Sequence, residues 1–182
     1  MGYLAAAITA AILLWAVSTF NRLVRFRNQV RAGWADIDVQ LTRRHDLIPQ
    51  LVESVRGYAL HEASVLEEVT SLRTQAVALS RPGQLAKVEQ AIEQQLAKLL
   101  ALREAYPELK ASELFLQLQR DLVDVEEHLQ YARRFYNGAV RQLNDGIQRF
   151  PDVLMVRATG FAEAEFYAAD DVDRAAPRLD LS

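Results

Sequence analysis

The chain has no cysteine, and only five prolines and seven glycines among its 182 residues. The first absence excludes disulfides, thiol catalysis and cysteine metal sites, though it does not fix a compartment. The scarcity of Gly and Pro leaves too little punctuation for the many turns of an all-β fold. Positive charge is not in excess either. The formal net charge is −3, whereas nucleic-acid binding wants a clearly basic face, so nucleic acid is not expected as a partner. Neither a Gly-x-Ser-x-Gly nucleophile turn nor a phosphate-cradling glycine loop is present. What is abundant is Ala, Leu, Glu, Gln and Arg, with 51% of residues apolar. That mixture favours helices around one real core, in a chain the size of one ordinary domain.

One long apolar run stands out. "YLAAAITAAILLWAVSTF" (Tyr3 to Phe20) carries no charge over eighteen residues. As a helix it is ~27 Å long, close to the ~30 Å of a bilayer core. A signal peptide is the competing reading, with Ala16-Val17-Ser18 as a weak cleavage site, but no basic segment precedes the run. Arg22, Arg25, Arg27 and Arg31 follow it directly. By the positive-inside rule they keep the C-terminal side in the cytoplasm and send the N-terminus out. They also attract anionic headgroups, by about 1 kcal/mol each near the surface. Trp15 and Phe20 sit where an interfacial aromatic belt belongs. Expected membrane and lipid contacts are therefore Trp15, Phe20, Arg22, Arg25 and Arg27. Gly2, Ala6 and Ala10 form a small-xxx-small row that permits close helix pairing; the competing reading is that Ala is simply common here.

The rest of the chain repeats apolar residues in steps of three and four. The first seam runs Val30, Trp34, Ile37, Leu41, Ile48, Val52 and Val55, then Ala59, Leu66, Val69, Leu72 and Ala76. Trp34, Leu41, Ile48 and Val55 are seven apart, so the seam keeps phase across the charged stretch "RRHDLIPQLVE". Pro49 inside that stretch predicts a kink or one-residue break near His45–Asp46, with Asp46 capping a restarted helix. "SRPG" (Ser80 to Gly83) predicts a turn. A second seam follows through Leu85, Val88, Ile92, Leu96 and Leu99, until Pro107 pushes Tyr106 out of the helical region. The third runs from Phe115 through Leu118, Leu122, Val125, Leu129, Ala132, Tyr136, Ala139, Leu143 and Ile147 to Phe150. It predicts one helix of roughly forty residues, about 60 Å long. "VLMV" (Val153 to Val156), Phe161, Phe166 and Tyr167 are too apolar for a free tail, and are expected to lie back on the bundle or the membrane surface. The closing "DDVDRAAPRLDLS" reads as a polar, weakly ordered end.

The expected fold class is all-α: an N-terminal transmembrane helix leading into an elongated antiparallel bundle of long helices. The expected division is an anchor over residues 1–20, a helical domain over 21–150, and a C-terminal segment over 151–182.

Chemistry has few places to reside. His61 and Glu62 point ~100° apart on a helix and form no shared ligand face. His128 has acids beside it, but the Glu-x-x-His pair of a helical di-metal site is missing, since residue 125 is Val. A solvated acidic face with a surface histidine is the plainer reading. His45 lacks a nucleophile to serve. No catalytic residue, metal site or cofactor is therefore expected. Arg43, Arg44 and Asp46 remain as interaction candidates. They read either as a salt-bridged joint, pairing within the helix or to a neighbour, or as a docking face.

"FNRLVRFRNQVRAGWADIDVQLTRRHDLIPQLVESVRGYALHEASVLEEVTSLR", "FLQLQRDLVDVEEHLQYARRFYNGAVRQLNDGIQRFP" and "GFAEAEFYAAD" strongly resemble the LemA family, in the family's order and over nearly the whole chain. The joined run from Trp34 to Pro49 and "ARRFYN" (Ala132 to Asn137) carry the resemblance most specifically. Gly33 departs from it, where the family usually has Ala; that exchange is expected to loosen the first helix by roughly 1 kcal/mol. The resemblance implies a single-pass protein of the bacterial inner membrane with an α-helical domain, without an established enzymatic activity or cofactor, in a family linked to membrane organisation. The leading expectation is a non-enzymatic membrane protein that self-assembles and scaffolds or remodels membrane. The alternative is a membrane-tethered sensor or adaptor docking another protein through its bundle. A hydrolase or metal enzyme using His45 or His128 lacks a complete constellation.

Overall fold

The computed structural model describes residues 2–58 and 62–167. Ala59, His61 and the closing polar segment fall outside them. All regular elements are helical: α1 (Gly2–Arg56), α2 (Ala63–Val77), α3 (Pro82–Ala101), α4 (Pro107–Lys110), α5 (Glu113–Gln148) and α6 (Asp152–Thr159). A 3₁₀ turn (Leu102–Glu104) leads from α3 toward α4. The fold is all-α, a helical bundle with a long apolar N-terminal helix.

α1 is the axis of the molecule. Its 55 residues span about 82 Å. Its first part, through Phe20, is largely exposed and apolar. From Thr19 onward it acquires buried positions at Leu23, Gly33, Ile37, Leu41, Ile48, Leu51, Val52 and Val55. α5 lies antiparallel along this second part. Arg43 meets Asp124, Gly33 approaches Phe135 and Tyr136, and Leu23 and Phe26 approach Gly146. α5 is capped by Ser112, whose side chain accepts from the Phe115 N–H, giving one of the unpaired donors at the helix start an acceptor. The ten seam positions from Phe115 to Ile147 are all buried, joined by Val140 and Gly146. Phe150, expected to close this seam, is instead 76% exposed, because the helix ends at Gln148 and Arg149 is extended.

α2 and α3 form a hairpin against α1. Arg81 is extended and Pro82 opens α3, where a missing N–H costs nothing. Tyr106 is extended (φ −123°, ψ 92°) before Pro107, as the steric clash between a proline and its predecessor requires. The main core joins α1, α2, α3 and α5, with Leu109 and Tyr167. A smaller cluster of Leu23, Leu143 and Ile147 sits at the anchor end, with Phe26, Val156 and Phe161 against it.

Two expectations about α1 need correction. There is no break at His45–Asp46; the helix runs through Pro49 to Arg56. Asp46 is an exposed mid-helix residue, not a cap. The reason lies outside α1. Pro49 has no N–H for the His45 carbonyl, and the Arg73 Nε–H of α2 donates to that oxygen instead, at 2.7 Å. Gly33 also does something other than loosen a helix. It is buried, and a Cβ there would lie 3.0 Å from both the Phe135 ring and the Tyr136 Cα. The missing side chain sets the closeness of α1 and α5 at that level.

Candidate functional site

The charged stretch of α1 turns half inward. In phase with Leu41 and Ile48, both Arg44 and His45 are buried, at 2% and 8% exposure. Arg44 donates from Nη1 to Glu89 Oε2 on α3 (3.2 Å), and from Nη2 to Glu126 Oε2 on α5. His45 Nε2 lies 2.7 Å from Glu89 Oε1. Glu89 is fully buried and holds one partner on each oxygen. Gln130 donates to the other Glu126 oxygen at 2.7 Å, and Arg133 stands 3.8 Å from it and 4.0 Å from Glu93. One cluster thus ties α1, α3 and α5 together by charge.

Burial pushes the Arg44 guanidinium below its usual range, and Glu89 opposes that shift. A buried charge persists only where opposite charges and hydrogen bonds replace water, which Glu89 and Glu126 do here. Arg133 also lies over the ring of Tyr167, 5.2 Å from its centroid. Tyr167 is 1% exposed, and Trp34 flanks it with ring centroids 6.4 Å apart. Burial raises the Tyr167 phenol above its usual range. Its hydroxyl has no hydrogen-bond partner among the described residues.

Tyr167 arrives there on a strap without regular secondary structure, Phe161–Tyr167, laid along the bundle. Asn144 clamps the strap by its backbone: Nδ2 donates to the Ala164 carbonyl (3.0 Å), and Oδ1 accepts from the Ala164 N–H (2.9 Å). The Tyr136 hydroxyl donates to the Glu165 carbonyl at 2.8 Å.

The other two interaction candidates are exposed. Arg43 pairs with Asp124 at 2.7 Å and stands 4.0 Å from Asp121. Asp46 makes no side-chain ion pair among the described residues. The structure thus separates the three: Arg44 goes into the core, while Arg43 and Asp46 face solvent. Glu126, read from sequence as part of a solvated acidic face, is an Arg44 partner instead. His128 does remain exposed, 3.5 Å from Asp124. Sequence reading missed Glu89 altogether, taking Val88 as the seam residue. The signal was present: Leu85, Glu89, Ile92 and Leu96 follow steps of four, three and four, with one charge in a core position.

The membrane-contact candidates gather at the other end. Trp15 is half-buried, and Phe20 is 39% exposed with its ring edge-on to Phe161 at 5.9 Å. Arg27 lies over the same Phe161 ring, 4.9 Å from its centroid. Arg25 is exposed. Arg22 donates to Asp152 at 2.5 Å, and the Thr19 hydroxyl donates to the other Asp152 oxygen at 3.2 Å. Asp152 itself is 2% exposed.

Glu89 has no open side, while Glu126 and Glu93, at the edge of the cluster, keep 28% and 48% of their side chains exposed. A hollow of about 580 Å³ between Arg56, Leu66, Glu67 and Thr70 sits at the end away from the apolar run. The arrangement defines a class: all-α proteins in which an apolar helix, long enough to cross a membrane, continues into a bundle locked by a buried ionic cluster. The LemA family model matches residues 33–181, and the chain belongs to the LemA family. It is similar to the magnetosome protein MamQ 2 of Paramagnetospirillum magneticum, 23% identical, over 86% of this chain and 67% of the relative. It is also similar to the LemA protein of Metamycoplasma hominis, 24% identical, over 85% of this chain and 71% of that protein. These names describe no enzyme. The apolar helix and this kinship together support membrane association.

Proposed function

We propose that this chain is a non-enzymatic, membrane-anchored protein that self-assembles through its helices and organises, scaffolds or remodels the membrane. The observation that carries this is the continuity of α1. One unbroken helix joins an exposed apolar run to the locked bundle, so the bundle is held to the membrane by a stiff rod. The exposed row of Gly2, Ala6 and Ala10 supports helix pairing within the bilayer. Kinship with a magnetosome protein supports the same reading. On the positive-inside rule, the bundle lies on the cytoplasmic side of a bacterial inner membrane, with Arg22, Arg25 and Arg27 at anionic headgroups. Extraction in mild detergent followed by mass measurement tests self-assembly. Oligomers are expected, and a strictly monomeric particle sinks the proposal.

A second reading has its own observation. Tyr131 and Phe135, four apart on one face of α5, are 67% and 42% exposed. They suit an adaptor that docks a protein partner. Replacing both with Ser distinguishes the two: an adaptor loses its partner and keeps its oligomeric mass.

A further inference from the structure

We propose that Phe150 and α6 form a second membrane contact, a foot whose outer face enters the boundary between headgroups and acyl chains beside the anchor. The inference rests on the reading of α1 as membrane-spanning.

Height is the first observation. Asp152, at the start of α6, is gripped by Thr19 and Arg22, where the apolar run of α1 ends. Phe161, just beyond α6, packs on Phe20 and Arg27. Both ends of α6 therefore stay within about two turns of α1. If the apolar run spans the bilayer, these turns stand at its surface.

Facing is the second. Asp152 and Val156 turn inward, Asp152 to α1 and Val156 onto the small apolar cluster of Leu23, Leu143 and Ile147. Phe150, in the turn just before α6, and Leu154, on α6, are 76% and 54% exposed. Single exposed apolar residues are ordinary, but here two large ones flank the base of an exposed apolar helix.

Charge is the third. Asp152 would repel anionic headgroups, but it is buried and paired with Arg22. On the neighbouring turns the exposed Arg25, Arg27 and Arg149 outnumber the exposed acids Asp145 and Glu163. An apolar tip beside this excess of positive charge suits a surface of anionic lipid. The consequence is rotational: a single spanning helix can turn about its own axis, and a foot on one side fixes which face of the bundle meets its neighbours.

The absence of cysteine permits a direct test. Full-length Leu154→Cys, Leu13→Cys and Glu127→Cys variants, each at an exposed position, are labelled with an environment-sensitive fluorophore. They are reconstituted in phosphatidylcholine–phosphatidylglycerol vesicles, and circular dichroism checks the fold. The Leu154 probe should lose emission to spin-labelled lipid and resist aqueous iodide, as the Leu13 probe does, while Glu127 does the reverse. A Leu154 probe that behaves like Glu127 overturns the foot and leaves the anchor standing. A Leu154 probe shielded from both quenchers also overturns it, and shows that a second copy covers this face. If lipid fails to quench Leu13 as well, the anchor reading falls and the foot with it.

Discussion

Burying Arg44 strips its guanidinium of water, and the carboxylates of Glu89 and Glu126 restore what is lost. Arg43, its neighbour, keeps about half its side chain in solvent and pairs with an equally open Asp124. Their substitutions should therefore differ sharply. Arg44→Ala leaves Glu89 buried without its guanidinium, at a cost of about 3–5 kcal/mol. Arg43→Ala should cost about 0–1 kcal/mol. Equilibrium denaturation of the full chain in detergent, followed by circular dichroism, measures both; equal losses would contradict the buried cluster. Tyr167 supplies a pH dependence. Its folded pKa is raised, chiefly by burial, so the native state holds the phenolic proton more tightly than the unfolded chain. That stabilisation is complete below the unfolded value of about 10, and is lost as pH rises through the folded one. Tyr167→Phe should be within about 1 kcal/mol of the parent at neutral pH, since the hydroxyl has no hydrogen-bond partner among the described residues. Above about pH 10 it should lose less stability than the parent. Burial also raises Tyr136, which preserves part of the alkaline loss. Thermal melts at neutral and alkaline pH check this, and an undiminished alkaline loss in the variant would clear Tyr167 of the effect.

At the scale of elements, Pro49 shows how a local rule is overridden. An interior proline costs a helix about 3 kcal/mol, partly through the carbonyl it leaves bare. Arg73 covers that carbonyl from another helix. Arg73→Leu should cost about 1–3 kcal/mol, and less when Pro49→Ala supplies the intrahelical donor that proline lacks. A double-mutant cycle read by denaturation gives the coupling, and zero coupling would dissociate the two residues. The same case shows what the sequence could tell. The three seams were legible because spacing is a property of one helix at a time. The continuity of α1 across Pro49 was not, since it depends on a guanidinium 28 residues from His45. Glu89 was visible as a charge in an apolar phase, but its partners lie on α1, and no periodicity links them. The strap was legible only as apolar content; its hold is an Asn144 amide paired with the backbone N–H and C=O of one residue, Ala164, which leaves no repeat to read.

At the scale of the molecule, α1 is either a rod or a hinged pair of rods. With cysteines introduced only at Leu13 and Gln50, both exposed, spin labels should report a narrow distance near ~55 Å. A short or broad distribution would restore the hinge that Pro49 suggested. The rod also meets its partners late. Thr19 bonds a residue 133 positions further along the chain, and Arg43 one 81 positions further. During synthesis, at about 5–20 residues per second, α1 is complete on the order of ten seconds before α5 can cover it. In that interval the buried face of α1, with Arg44 still unpaired, stands open beside the ribosome. The apolar run is made first, so on the membrane-spanning reading it is free to enter a bilayer before the bundle closes. A chain cut short between Asn144 and Ala164 would keep the clamp and lack the strap that it holds.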